Sequence, residues 1–362
     1  MTSSFPRAAP RRGGGRSRQD GPMDLAAFTA ALPKVELHLH LEGTLEPDLK
    51  LELARRNGVD IGQTTVEEVR ASYVFDSLAS FLSVYYPAMD VLVTRADFRD
   101  LAMAYFARAA AQNVRHAEVF FDPQVHVARG VALEDVVLGY HDAVVDAERQ
   151  FGMSAGLIAC LVRDLPLEGA EAVVDGLLGF ADRIVGIGLD SDERGNPPAR
   201  FAHLFARARA AGLKVTVHCD VDQEDTTEHL RQALEEIVVD RLDHGTNVVE
   251  DPRLLELVRT RGTGLTCCPV SNAFVTGDSK AAVIAQLLRS GVRVTVNSDD
   301  PAYFGGYVTE NLVRLTQEAD LTPDELVQLQ RNAIEVSWAS GEVKEGFLAE
   351  LDAYEALVAP PL

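Results

Sequence analysis

Cysteine is scarce in this chain, with only four in 362 residues, too few for a disulfide scaffold in a protein of this length. Cys160, Cys219, Cys267 and Cys268 all fall within apolar runs, where a small thiol packs as a buried hydrophobe. This usage fits a reducing, cytoplasmic compartment. Long apolar runs are missing too: none approaches the roughly 18 residues a spanning helix needs, so no membrane segment is expected. Positive charge is also short, with 34 Lys and Arg against 55 Asp and Glu, leaving a formal charge of −21. Such a surface repels phosphate backbones and anionic lipid, which argues against nucleic-acid and membrane partners.

What remains is the balance of a soluble globular protein, 47% hydrophobic and 25% charged, long enough to bury a large core. Residues 1–22 stand apart, with five arginines against one acid among Gly, Pro and Ser. They lack the apolar stretch of a secretory signal and read as a disordered basic tail. Residues 23–362 read as one domain.

Eight apolar runs recur after residue 30, at 34–40, 114–122, 154–164, 183–190, 213–220, 240–246, 264–271 and 293–300. Most are rich in Val, Ile and Leu without strict alternation, as parallel strands buried on both faces are. Amphipathic stretches such as 201–211, and Leu230, Leu234 and Ile237 at helical spacing, separate them. Eight strands alternating with helices predict an α/β fold, a (β/α)8 TIM barrel, with a doubly wound open sheet as the alternative. Polar residues end nearly every run, and a barrel gathers them at one mouth. The long gap between the first two strands, with helical patterns at 66–71, 77–86 and 96–111, predicts a helical insertion that partly covers that mouth.

His38 and His40 are two apart on a strand and so share a face. His218, His244 and Asp299 occupy the same end of other strands, and together these five side chains predict a metal site. Imidazoles with a carboxylate suit zinc better than magnesium or calcium. The fourth strand has no lysine that could be carbamylated to bridge two metals, so one Zn2+ per chain is expected. His116, His126, His141, His203 and His229 have no partner pattern and read as structural; Asp122 and Arg163 are left open between structural and substrate-contacting roles.

HLHLEGTL at 38–45, DHG at 243–245 and NSDDP at 297–301 resemble the adenosine deaminase family of zinc aminohydrolases. FFDPQVH at 120–126, GLDSDERGNPP at 188–198 and VTVNSDDPAYFGGY at 294–307 resemble its adenine deaminase branch. The likeness spans about 34–340. It implies that His38, His40, His218 and Asp299 hold zinc and that His244 orients and helps deprotonate the attacking water. It further implies that Asp300 hydrogen-bonds ring nitrogen 7 of a purine, that backbone near Ser191 and Asp192 faces the other ring edge, and that Glu42 lies where the family meets the sugar or its replacement. Water activated at zinc would attack carbon 6, releasing ammonia.

One motif departs. The family's fifth strand ends in His-x-Gly-Glu, the glutamate protonating the ring nitrogen beside carbon 6; here His218-Cys219-Asp220-Val221 puts Val221 in its place. Asp225 and Glu228 look like a capping box for the next helix, leaving Asp220, Asp222 and Glu224 as loop carboxylates. Asp222, then Asp220, is the expected proton donor. The functional expectation is therefore deamination of a small purine, adenine first, with adenosine or an N6-substituted purine as alternatives. A purine-binding barrel without turnover is the alternative of another class.

Overall fold

A computed structural model describes residues 24–219 and 227–358. Eight strands pair in sequence order, all parallel: β1 Lys34–Glu36, β2 Val114–Phe121, β3 Ser154–Val162, β4 Gly186–Asp190, β5 Lys214–Cys219, β6 Arg241–His244, β7 Gly264–Cys267 and β8 Val294–Val296. β1 and β8 meet only at their upper ends. There His40 N donates to Asp299 O at 3.0 Å and Asp299 N to His38 O at 3.1 Å, bringing the predicted (β/α)8 barrel close to closure.

The strands are shorter than their apolar runs, mostly at the C-terminal end. Proline lacks the N–H that a ladder needs, and Pro269 opens the helix Pro269–Thr276, ending β7 at Cys267. β6 stops at His244, whose φ of 58° is left-handed, and the run into Asp299 breaks likewise at φ 64°. Only a structure that over-determines such backbone keeps it in non-glycine residues, and it is common at functional sites.

The insertion after β1 folds as helices Pro47–Asn57, Val66–Ala71 and Leu78–Ala88, followed by the crossover helix Arg95–Ala111. Capping boxes on Thr65, Ser77 and Thr94 start the last three, tying down backbone N–H groups that a helix start leaves without partners. Leu78–Ala88 lies over the barrel mouth through Leu78, Phe81, Leu82, Tyr85 and Tyr86. None of the helices among the described residues is long and apolar enough to cross a membrane.

The main apolar core packs the barrel's outer face against the helices. The barrel's interior is different. Phe120 packs against the rings of His38, His40 and His218, so β2 residues of the same parity face inward. Below it, Glu118 pairs with Arg241 across the barrel, and Trp338 lies over the guanidinium with its ring centroid 3.8 Å away. Burial raises the Glu118 carboxyl, but Arg241 and His116 outweigh that and hold it at about 2.

Arg241→Met would strand a buried carboxylate, and urea unfolding should show a loss of about 3–5 kcal/mol. Adding Glu118→Gln should recover part of that loss. Because Glu118 titrates lower in the folded chain than its ordinary 4.5, its stabilisation is present above that value and fades as pH falls toward 2. A pH series in which Arg241→Met is as sensitive to acid as the parent over that window would contradict the assignment.

Candidate active site and metal centre

The hydrogen bonds beneath the barrel mouth decide which ring nitrogens bear protons. Asp243 on β6 accepts from the Thr216 hydroxyl at 2.6 Å and from the Thr266 hydroxyl at 2.8 Å. Having donated its proton, Thr266 Oγ1 must accept from His38 Nδ1, 2.9 Å away. His218 Nδ1 faces the Leu189 carbonyl at 3.0 Å and Asp243 at 3.4 Å, both acceptors, so it carries its ring's proton. His40 Nδ1 faces Asp190 at 3.6 Å. The Nδ1 atoms of His38 and His218 are thus anchored by hydrogen bonds, His40 Nδ1 faces a carboxyl at longer range, and the three Nε2 atoms are left to converge.

They converge tightly. His218 Nε2 lies 3.1 Å from the Nε2 of both His38 and His40. Asp299 Oδ1 is 3.2 Å from His38 Nε2 and 3.5 Å from His40 Nε2. Burial first, then the neighbouring histidines, lowers His218 well below its ordinary value and His40 to about 4, whereas at His38 burial is outweighed by the Asp299 and Asp243 carboxylates, which raise it. Burial pushes the Asp299 carboxyl up, but His38, His244 and His40 outweigh it and hold it well below the usual range. Inward lone pairs with one carboxylate form a donor set for a divalent cation, since ligating imidazoles must be neutral and carboxylates ionised. Among the described residues, three potential metal-holding groups overlap here: His38, His218, His244 and Asp299; His40, Asp299 and Asp300; and His40, Asp122 and Asp190.

His244 stands beside this group, Nε2 3.9 Å from Asp299 Oδ2, and burial lowers it to about 4. The cavity above is lined by His40, His218, His244, Asp299 and Asp300, by Asp122, Asp190, Ser191 and Glu193, and by the apolar wall from Leu78, Phe81, Val275 and Phe304. Among the described residues, no lysine or arginine lines it. Asp122 Oδ1, Asp190 Oδ1, Asp300 Oδ1, His244 Nδ1 and Tyr85 OH are buried without a hydrogen-bond partner. That many unpaired polar atoms in one cavity suit a polar ligand.

The carboxyls that line the cavity differ in how readily they ionise. Burial first, then neighbouring carboxyls, raises Asp300 and Asp122 well above the ordinary range. Asp190 is pushed up to about 7, chiefly by burial.

The five residues predicted to gather at the mouth all do so, and Asp300 and Ser191 line the cavity. The Asp192 carboxylate turns to Arg194, accepting from its N at 3.0 Å. Glu42 is buried and is not among the residues lining the cavity. Its Oε1 accepts from His126 Nε2 and Tyr140 OH, both at 2.9 Å, and from Asp122 N at 3.3 Å. Asp220, Val221, Asp222, Glu224 and the capping residue Asp225 lie outside the described residues. Three acidic wall residues are not among the site residues read from the sequence: Asp122, at the end of its strand, Asp190, which ends β4, and Glu193, whose Oε2 is 3.1 Å from His229 Nδ1 and 3.4 Å from Arg163. Nothing local in GLDSDERG marks Glu193, since its partners come from other strands' loops.

The profile of the adenosine deaminase family matches residues 33–354. The chain is 48% identical over 331 residues to the adenine deaminase of Sphingopyxis alaskensis, covering 91% of this chain and 96% of that one. It superposes on the crystal structure of an adenine deaminase from Arthrobacter aurescens with a TM-score of 0.86 and 42% identity, over 90% of this chain and all of the other. A zinc-bound amidohydrolase from Burkholderia ambifaria gives a TM-score of 0.83 at 30% identity, over 94% and 96% of the two chains.

The convergence of lone pairs predicts a metal requirement that can be measured directly. Purified protein should carry one divalent ion per chain, and chelation should lower its melting temperature because the ion binds only the folded state. His218→Ala should lose stoichiometric metal. Full metal in that variant would remove His218 from the ligand set.

Proposed function

Since the chain belongs to the adenosine deaminase family, we propose that it is a zinc-dependent hydrolase that removes the 6-amino group of adenine. The observation that carries this reading is the convergence of three Nε2 lone pairs and the Asp299 carboxylate beneath a cavity that His244 also lines. The acidic lining, free of lysine and arginine among its described residues, supports an uncharged base over a nucleotide.

His38, His40, His218 and Asp299 would hold the zinc, which when bound acidifies water and polarises the bond under attack. The protein's own groups do the rest. His244, neutral at physiological pH, accepts a proton from the attacking water and returns it to the departing amine. Asp300 hydrogen-bonds ring nitrogen 7, and the backbone at Ser191 and Asp192 meets the other edge. The ring nitrogen beside carbon 6 must also gain a proton, and with Val221 in the family glutamate's position we assign that step to Asp222, then to Asp220. Leu78–Ala88 and Phe304 supply the apolar cover that keeps bulk water from the reacting centre.

A screen of adenine, adenosine, AMP and N6-substituted purines with the zinc-loaded protein, read by ammonia or amine release, tests the reaction. Adenine should be the best substrate, and release from none would leave a purine-binding barrel. His244→Ala should keep zinc and lose about 10²–10⁴ in turnover. Asp222→Asn should keep zinc and lose about two orders of magnitude. Near-normal rates in both Asp222→Asn and Asp220→Asn would move the proton source out of that loop.

A further inference from the structure

We propose that Asp122 determines specificity by accepting a hydrogen bond from the ring N–H of an unglycosylated imidazole edge, so that the site reads a free purine base. The assignment rests on the deaminase reading above and goes one residue further.

Three observations carry it. First, Asp122 is 1% exposed and lines the same cavity as the histidine and aspartate group, with Oδ1 lacking a hydrogen-bond partner. Second, it is held in place. Asp122 precedes Pro123 at the start of the helix Pro123–Ala128, and its N–H donates to Glu42 Oε1 at 3.3 Å. Glu42 is itself fixed by His126 and Tyr140. It therefore supports Asp122 from behind and is not itself among the cavity-lining residues.

Third, strand order puts it in the right place. Asp300 follows β8 and Asp122 follows β2, so these two carboxyls flank the His38–His40 segment that follows β1. In a purine, nitrogens 7 and 9 lie on one edge, separated by a single carbon. With nitrogen 7 at Asp300, nitrogen 9 falls on the Asp122 side. Adenine carries a hydrogen there when nitrogen 7 is the acceptor; a nucleoside carries carbon. A site whose buried acceptor expects an N–H discriminates strongly against an analogue that lacks it, because the acceptor is left unpaired.

The probe is 9-methyladenine, which removes the N–H while adding only a methyl group. The wild-type protein should prefer adenine over 9-methyladenine by about 10²-fold or more in kcat/KM. Asp122→Ala and Asp122→Leu, which remove the acceptor, should retain zinc and lose most of their rate on adenine. Their rate on 9-methyladenine should change only a few-fold, so the preference collapses. A general structural defect would lower both substrates together and leave the ratio intact. Calorimetry on the wild type gives a second measure: hypoxanthine should bind more tightly than 9-methylhypoxanthine. A wild type that handles adenine and 9-methyladenine alike, or variants that keep the preference, would overturn the assignment while leaving the deaminase reading standing. No turnover of either base by the wild type would remove both.

Discussion

The structure depends on a cluster of lone pairs that the protein by itself cannot satisfy. Three imidazole nitrogens lie within 3.1–3.2 Å of one another or of a carboxylate, in a region almost closed to water. The Nε2 atoms of His40 and His218, both rings lowered by burial, face each other 3.1 Å apart; lone pairs so placed repel, and each has lost its hydration. Such an arrangement persists because other contacts hold every ring from behind. Asp243 forces the Thr266 hydroxyl, and Thr266 forces the His38 tautomer; the Leu189 carbonyl does the same for His218. The proton positions are thus settled several bonds away from the centre itself.

Barrel closure and site construction are the same event. The two backbone bonds that join the first and last strands involve only His38, His40 and Asp299, three of the proposed ligands. β1 and β8 are short, at three residues each, so closure falls to the segment that carries the ligands. The left-handed backbone at Asp299 and His244 turns those side chains inward. A substitution that relaxes the backbone there would disturb ligand and barrel together.

Much of this was legible in the sequence, for a physical reason. Buried parallel strands read as apolar runs, and the residue where each run ends is the one a barrel aims at its mouth. His38, His40, His218, His244 and Asp299 could therefore be assembled without coordinates. Strand ends could not, because they are set by Pro269 and by left-handed residues that composition does not reveal. The interior polar column was hidden as well. Glu118 and Arg241 lie 123 positions apart, and neither stands out within its own strand. Glu42 shows the limit of motif reasoning: its place beside the metal histidines was plain, but its direction depends on His126 and Tyr140, far along the chain.

The acidity of the cavity resolves once protons are counted. Asp122, Asp190, Asp299, Asp300 and Glu193 all line it, and five full charges there would repel one another severely. Burial instead raises Asp122, Asp190 and Asp300, with repulsion from neighbouring cavity carboxyls adding to it at Asp122 and Asp300, while Asp299 alone among these four aspartates is held low by histidines. The wall therefore presents carboxyl groups that can donate as well as accept, with the firm negative charge concentrated where a cation would sit. A neutral heterocycle whose edge alternates acceptor and donor matches that wall; a phosphate does not. The low position of Asp299 and the high position of its neighbour Asp300 are linked: the histidines keep charge on the first, and that charge adds to the burial that already raises the second.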